Sequence, residues 1–219
     1  MSIAQSWRPK HVLAFVGLTL LLYVVIVGAL FAFATKFPSL MDFLHTSWGQ
    51  GMVFIMGLFV ILSVSLFIAR VRSLADFVTA FDLTRPREQD LLSAFGVGLL
   101  IQFVGIFIFV GNLSSIHAAR TFPPASVVVL LAPFFEEPAM RGFAYKALRN
   151  SYPVAVSICL MVLISLLFHW GQIYGSLKGT VTIAAINATL CLLKEKYSSL
   201  WICVTCHLAF NLAYVGIGN

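Results

Sequence analysis

Apolar residues run along the chain in blocks of roughly 20, and the charged residues fall mainly in the short segments between them. A helix of that length covers the ~30 Å hydrocarbon core of a bilayer. Blocks at Val12–Ala34, Met52–Ile68, Leu91–Val110, Ala125–Tyr145, Val154–Ile173, Thr180–Leu193 and Leu200–Ile217 predict about seven transmembrane helices. The sixth block is short, and charge interrupts the fourth. The expected fold is all-α, a polytopic integral membrane bundle. The first block follows Arg8 and Lys10 and ends near Ala32-Phe33-Ala34, as a secretory signal does, but its apolar stretch is too long for one, so it is expected to be a retained anchor.

Composition agrees with this reading. Of 219 residues, 60% are hydrophobic and 10% charged, and the mean hydropathy of +0.98 exceeds what one soluble core requires. The net charge of +6 would suit a nucleic-acid binder if the cations formed a stripe on one face. They instead sit in clusters between apolar blocks, which argues against nucleic acid and for membrane topology. With the N-terminus inside, Arg8, Lys10, Arg70, Arg72, Arg85, Arg87, Lys146, Arg149, Lys194 and Lys196 are cytoplasmic, against Lys36, Arg120 and Lys178 outside. That asymmetry predicts a multi-pass protein of a cytoplasmic-type membrane with its C-terminus outside. No internal repeat or Pro/Gly/Ser linker divides residues 1–219, and Thr84–Asp90 reads as an ordinary charged loop, so one membrane domain is expected.

Against this background Glu136 and Glu137 stand out, because they alone among the acids fall well inside a predicted span. A carboxylate at the bilayer centre costs roughly 2.5–3.5 kcal/mol on the insertion scale, so the pair calls for a partner or a function. Arg141 lies one turn beyond Glu137 on the same helical face, where a salt bridge can form. Glu136 points about 100° away and is left free for chemistry. The plain alternative is a solvated helix end, with Lys146 and Arg149 marking the interface nearby.

The histidines weigh against that alternative. His11, His45 and His117 fall at span ends or in loops and receive no role, whereas His169 and His207 lie within apolar blocks, with Asn211 one turn after His207. Polar side chains on three helices in hydrocarbon satisfy one another most simply, which predicts a polar intramembrane cavity. A buried carboxylate with two imidazoles and a carboxamide has the parts for hydrolysis: a general base, a group to orient water, and donors for an oxyanion. The same carboxylate and histidines, Glu136, His169 and His207, are also the donor types of a hydrolytic zinc site. The soluble zinc-protease pattern His-Glu-x-x-His is absent, and the residues require no cofactor while leaving a divalent metal open.

The stretch Glu136-Glu137-Pro138-Ala139-Met140-Arg141, the downstream His169, and His207 with Asn211 resemble, in order and spacing, the motifs of the CAAX protease and bacteriocin-processing family of intramembrane endopeptidases. The run from Glu195 through Ser199-Leu200-Trp201 to His207 is similar to that family's approach to its last motif. The resemblance covers residues 124–219, with residues 1–123 outside it. It implies that Glu136 and His169 activate water, that His207 and Asn211 stabilise the oxyanion, and that Glu137 with Arg141 supports the site. It further implies a peptide or protein substrate, membrane-anchored or prenylated. One position departs: where the family's second motif places Phe four residues before the histidine, this chain has Ser165, with Phe168 its nearest aromatic on that side.

Two other classes compete. Cys203-Val204-Thr205-Cys206-His207 matches the covalent haem signature, with His169 as the other axial ligand, although it lies in an apolar helix where small packing cysteines are the simpler reading, as for Cys159 and Cys191. A binding or immunity protein on the same scaffold is the other. Remaining features are read as structure: Phe103, Phe107 and Phe109 as packing or lipid-facing aromatics, Trp48 and Trp170 as interface residues, and Asn187 as a helix-to-helix hydrogen bond.

Overall fold

The computed structural model describes residues 6–110 and 124–217, so His117 and Arg120 lie outside the described residues. Each apolar block forms helix, in the order α1 (Pro9–Ala34), α2 (Pro38–His45), α3 (Ser47–Ala69), α4 (Leu74–Ala80), α5 (Glu88–Val110) and α6 (Pro124–Glu137). A π-helical segment (Pro138–Tyr145) continues α6 into α7 (Lys146–Arg149), followed by α8 (Val154–Phe168), α9 (Trp170–Ile173), α10 (Leu177–Tyr197) and α11 (Leu200–Ile217).

Among the described residues, α1, α3, α5 and α10 are long and apolar enough to cross a membrane, while α8 and α11 are shorter apolar helices. Only 17–28% of the apolar windows of the four long helices is buried inside the protein. The rest, including Leu13, Phe67 and Leu92 at 73–77% exposure, faces outward, as in a chain whose solvent is lipid. The chain is an all-helical membrane protein.

Three expected spans are corrected in detail. The short sixth block is the middle of a full helix of 21 residues, because Ser176 caps it by accepting from Gly179 N and Lys194 and Lys196 extend its last turn. The fifth breaks at His169, which ends α8 with φ −96° and ψ 8°, just ahead of Gly171 and Gly175. The fourth changes character after Glu137. Pro138 has no N–H for the carbonyl four residues back, and the next turn widens to π geometry. Met140, Arg141 and Phe143 in that turn are almost wholly buried.

Helix α11 packs along α5, α6 packs on α3 and α11, α8 on α10, and α1 on α3. The α5–α11 contact is backbone-close: a Cβ built on Gly98 would stand 2.1 Å from the Cys206 carbonyl oxygen. At one end of the bundle the chain start and three connections are tied together. Asn150 Nδ2 donates to Trp7 O, Leu200 N to Asp82 O, and Ser199 Oγ to Thr84 O. The Asp82 carboxylate takes both Lys146 and Lys194 at 2.8 Å, and Arg149 meets Glu195 at 2.8 Å. These segments hold many of the cations that the charge asymmetry assigns to a single side.

Candidate active site

Glu137, Arg141, Asn187, Ser165 and His207 meet in one chain of contacts. Arg141 Nη1 donates to Glu137 Oε1 at 3.1 Å, with both side chains all but fully buried. The other end of the guanidinium donates to Asn187 Oδ1 on α10. Asn187 Oδ1 also accepts from Ser165 Oγ on α8 at 2.6 Å, and its amide donates back to Ile183 O. On the opposite side, Glu137 Oε1 lies 2.7 Å from His207 Nδ1 on α11. The buried ion pair is thus held from α6 and its π segment, α8, α10 and α11 together. Breaking such a pair leaves an uncompensated charge, a loss of several kcal/mol.

Glu137 faces a guanidinium and is a carboxylate, an acceptor only, so the proton in its bond to the imidazole sits on Nδ1 of His207. This fixes the tautomer and turns Nε2 toward Glu136, whose Oε2 lies 4.0 Å away. That distance exceeds a hydrogen bond and suits one intervening water, ~2.8 Å from each atom with an angle near 90° at its oxygen. Glu136 is 8% exposed, and His207 Nε2 is the one polar partner found for its carboxylate among the described residues. The salt bridge expected between Glu137 and Arg141 is present. Glu137 is spent on Arg141 and His207, and Glu136 is not.

Asn211 has a partner that the sequence reading did not foresee. Its Nδ2 donates to Val129 O at 2.8 Å. In a regular helix that carbonyl would accept from the N–H of residue 133, but residue 133 is proline, inside α6. Asn211 supplies the missing donor and joins α11 to α6 about two turns before Glu136. The amide keeps a second N–H.

His169 is not engaged with the glutamates. His169 follows Ser165, which reaches Asn187 and through it Arg141, by four residues. The His169 ring is turned onto its own helix, with Nδ1 2.8 Å from Ser165 O, and no hydrogen bond or ion pair joins it to Glu136 among the described residues. Among those residues no group of three His, Cys, Asp or Glu side chains is arranged to hold a metal ion. Glu136, His169 and His207 are not gathered around a common point in this arrangement.

The haem reading fits poorly. Cys203 and Cys206 are fully buried, Cys203 Sγ donates to Leu190 O, and His207 is held by Glu137. The residues that sequence reasoning left out of the site are Asn187 and Ser165. A polar Asn in the middle of an apolar helix was the available signal, and its reading as a helix-to-helix hydrogen bond is what the structure shows. Its partners were not legible. Ser165, the departure from the second motif, is the small hydroxyl that reaches Asn187.

No curated protein and no solved structure matches the chain. Residues 118–213 match the family model described as type II CAAX prenyl endopeptidase Rce1-like, the CAAX protease family that the glutamate, histidine and asparagine motifs resemble.

Proposed function

We propose that the protein is an intramembrane endopeptidase that hydrolyses a peptide bond with water activated by Glu136, without a covalent intermediate. The observation that carries this reading is the 4.0 Å gap between Glu136 Oε2 and His207 Nε2, with Glu137 at 2.7 Å on the imidazole's far side. A water in that gap donates one hydrogen to Glu136 and the other to Nε2. As its oxygen attacks the scissile carbonyl, Glu136 takes the first proton, and the same carboxyl later returns it to the leaving amine. His207 orients the water through Nε2, and Glu137 holds the imidazole much as a third group orients the base in a catalytic triad. The second N–H of Asn211 is the available donor for the developing oxyanion, and His169 can join the site by turning its ring away from Ser165. The substrate class this implies is a peptide or protein segment at the membrane, prenylated or otherwise anchored there.

The test compares wild type, Glu136→Gln and His207→Ala in detergent against a diverse peptide library that includes prenylated C-terminal sequences. Loss of the general base lowers kcat by about 10²–10⁴-fold. Glu136→Gln is nearly isosteric, and its carboxyl makes no short contact, so its melting temperature should stay with wild type. Cleavage by Glu136→Gln at the wild-type rate would refute the assignment.

A further inference from the structure

A second feature lies away from the polar network, where α3 ends beside the start of α1. A groove of about 560 Å³ opens there, with His11 of α1, the last apolar turn of α3 (Leu66, Phe67, Ile68), and Arg70 and Arg72 among its walls. Arg70 adopts the left-handed conformation, φ 58° and ψ 36°, and closes α3 by donating its N–H to the carbonyls of Leu66 and Phe67. Val71 N also returns to Leu66 O at 3.1 Å. With this corner, both arginines line the same groove as the apolar turn before them.

The charges at the groove are unbalanced. No ion pair is found for the guanidinium of Arg70 or Arg72 among the described residues, and no acid lines the groove. The nearest carboxylate in sequence, Asp76, accepts from the Arg72 backbone N–H at 3.2 Å. The first turn of α1 has no acidic residue either, so its positive dipole end adds to the field. Phe67 is 77% exposed, leaving an apolar surface directly beside two cations at the end of a helix long and apolar enough to cross the membrane.

We propose that this groove is a binding site for an anionic glycerophospholipid, with Arg70 and Arg72 on its phosphate and Leu66, Phe67 and Ile68 along the first part of an acyl chain. Guanidinium groups match phosphate oxygens in a bidentate fork. The apolar wall distinguishes a lipid from free phosphate, which would gain nothing from it. The volume exceeds what a lone phosphate fills. The site is independent of the peptidase reading, because it uses none of the residues of the polar network.

The experiment is native mass spectrometry of the full-length protein in detergent, titrated with palmitoyl-oleoyl phosphatidylglycerol or with the phosphatidylcholine of the same chains. Melting temperatures are recorded for every variant. Wild type is expected to retain one phosphatidylglycerol with about 30-fold preference over phosphatidylcholine, as two cations beside an anionic headgroup provide. The double variant Arg70→Gln/Arg72→Gln should lose that preference at an unchanged melting temperature. Arg85→Gln/Lys196→Gln, which removes the same charge from positions outside the groove, should keep it. Equal retention by the first double variant, equal loss in the second, or displacement of the lipid by millimolar inorganic phosphate would each overturn the proposal.

Discussion

The bond from Asn211 to Val129 makes a prediction that separates structure from chemistry at one side chain. Pro133 withholds an N–H from the Val129 carbonyl, and Asn211 Nδ2 restores one at 2.8 Å. In the wild-type background, Asn211→Ala leaves that carbonyl unpaired in a low-dielectric interior, a cost of about 1–3 kcal/mol by soluble-protein measure and ~0.6–1.7 kcal/mol for hydrogen bonds between membrane helices. In a Pro133→Ala background the helix supplies its own donor, and the same substitution should cost less than ~0.5 kcal/mol. The coupling energy between the two positions is then at least ~0.5 kcal/mol by the soluble-protein measure and at least ~0.1 kcal/mol by the membrane one. It is read from unfolding of the four proteins in mixed micelles, with far-UV circular dichroism as the signal. Cleavage supplies a second readout: if the remaining N–H of Asn211 serves the oxyanion, Asn211→Ala lowers kcat in both backgrounds, whatever it does to stability. Equal stability costs in the two backgrounds would show that the amide does not stand in for the missing proline donor.

Further consequences follow from other contacts. Asn187→Leu removes the acceptor shared by Arg141 and Ser165 and should destabilise the protein by roughly 1.5–3 kcal/mol in the same unfolding assay, with a loss below ~0.5 kcal/mol counting against the network. Gly98→Ala drives a Cβ against the Cys206 carbonyl and should lower the melting temperature by several degrees through about 1–3 kcal/mol of overpacking, while Gly96→Ala, which meets no atom within 4 Å, should not. Burial alone would raise the Asp82 carboxyl, but Lys146 and Lys194 outweigh it and hold the group below its ordinary value. Its contribution is therefore complete above about pH 4 and lost as pH falls through the lowered folded value, so Asp82→Asn should flatten that part of a melting-temperature profile against pH.

Helix positions were legible in the sequence because lipid imposes a simple rule: each backbone must satisfy itself, and a block of apolar residues about 20 long has few other uses. The ends were less legible. Nothing in hydropathy separates the apolar His169-Trp170 region from the helix before it, and the break there depends on local backbone and two nearby glycines. The pairing of Glu137 with Arg141 was readable from a one-turn spacing on one helix. Contacts between helices were not. That His207 Nδ1 meets Glu137, or that Asn211 answers a proline on another helix, depends on how α11 sits against α6, which no periodicity encodes. The signal for the second of these was Pro133 itself, since a proline within an apolar block orphans a carbonyl that some donor must meet.

Placing two glutamates side by side in hydrocarbon is expensive, and the structure shows how the pair becomes useful. Glu137 alone, with Arg141, would be a neutral buried pair of the kind often replaceable by apolar residues. Its contact with His207 gives it a further effect: it fixes the imidazole's tautomer, and with it the atom presented to Glu136. As the proposed base, Glu136 needs the opposite environment, free of an ion pair, because a carboxylate locked in one is a poor base toward water. A residue one position along an α-helix points about 100° away, which lets adjacent glutamates occupy these two environments. The π turn carries Arg141, and Glu137 and Asn187 take its guanidinium hydrogen bonds. The asymmetry that the proposed hydrolysis requires is thus built from one spacing on α6 and three polar anchors on α8, α10 and α11.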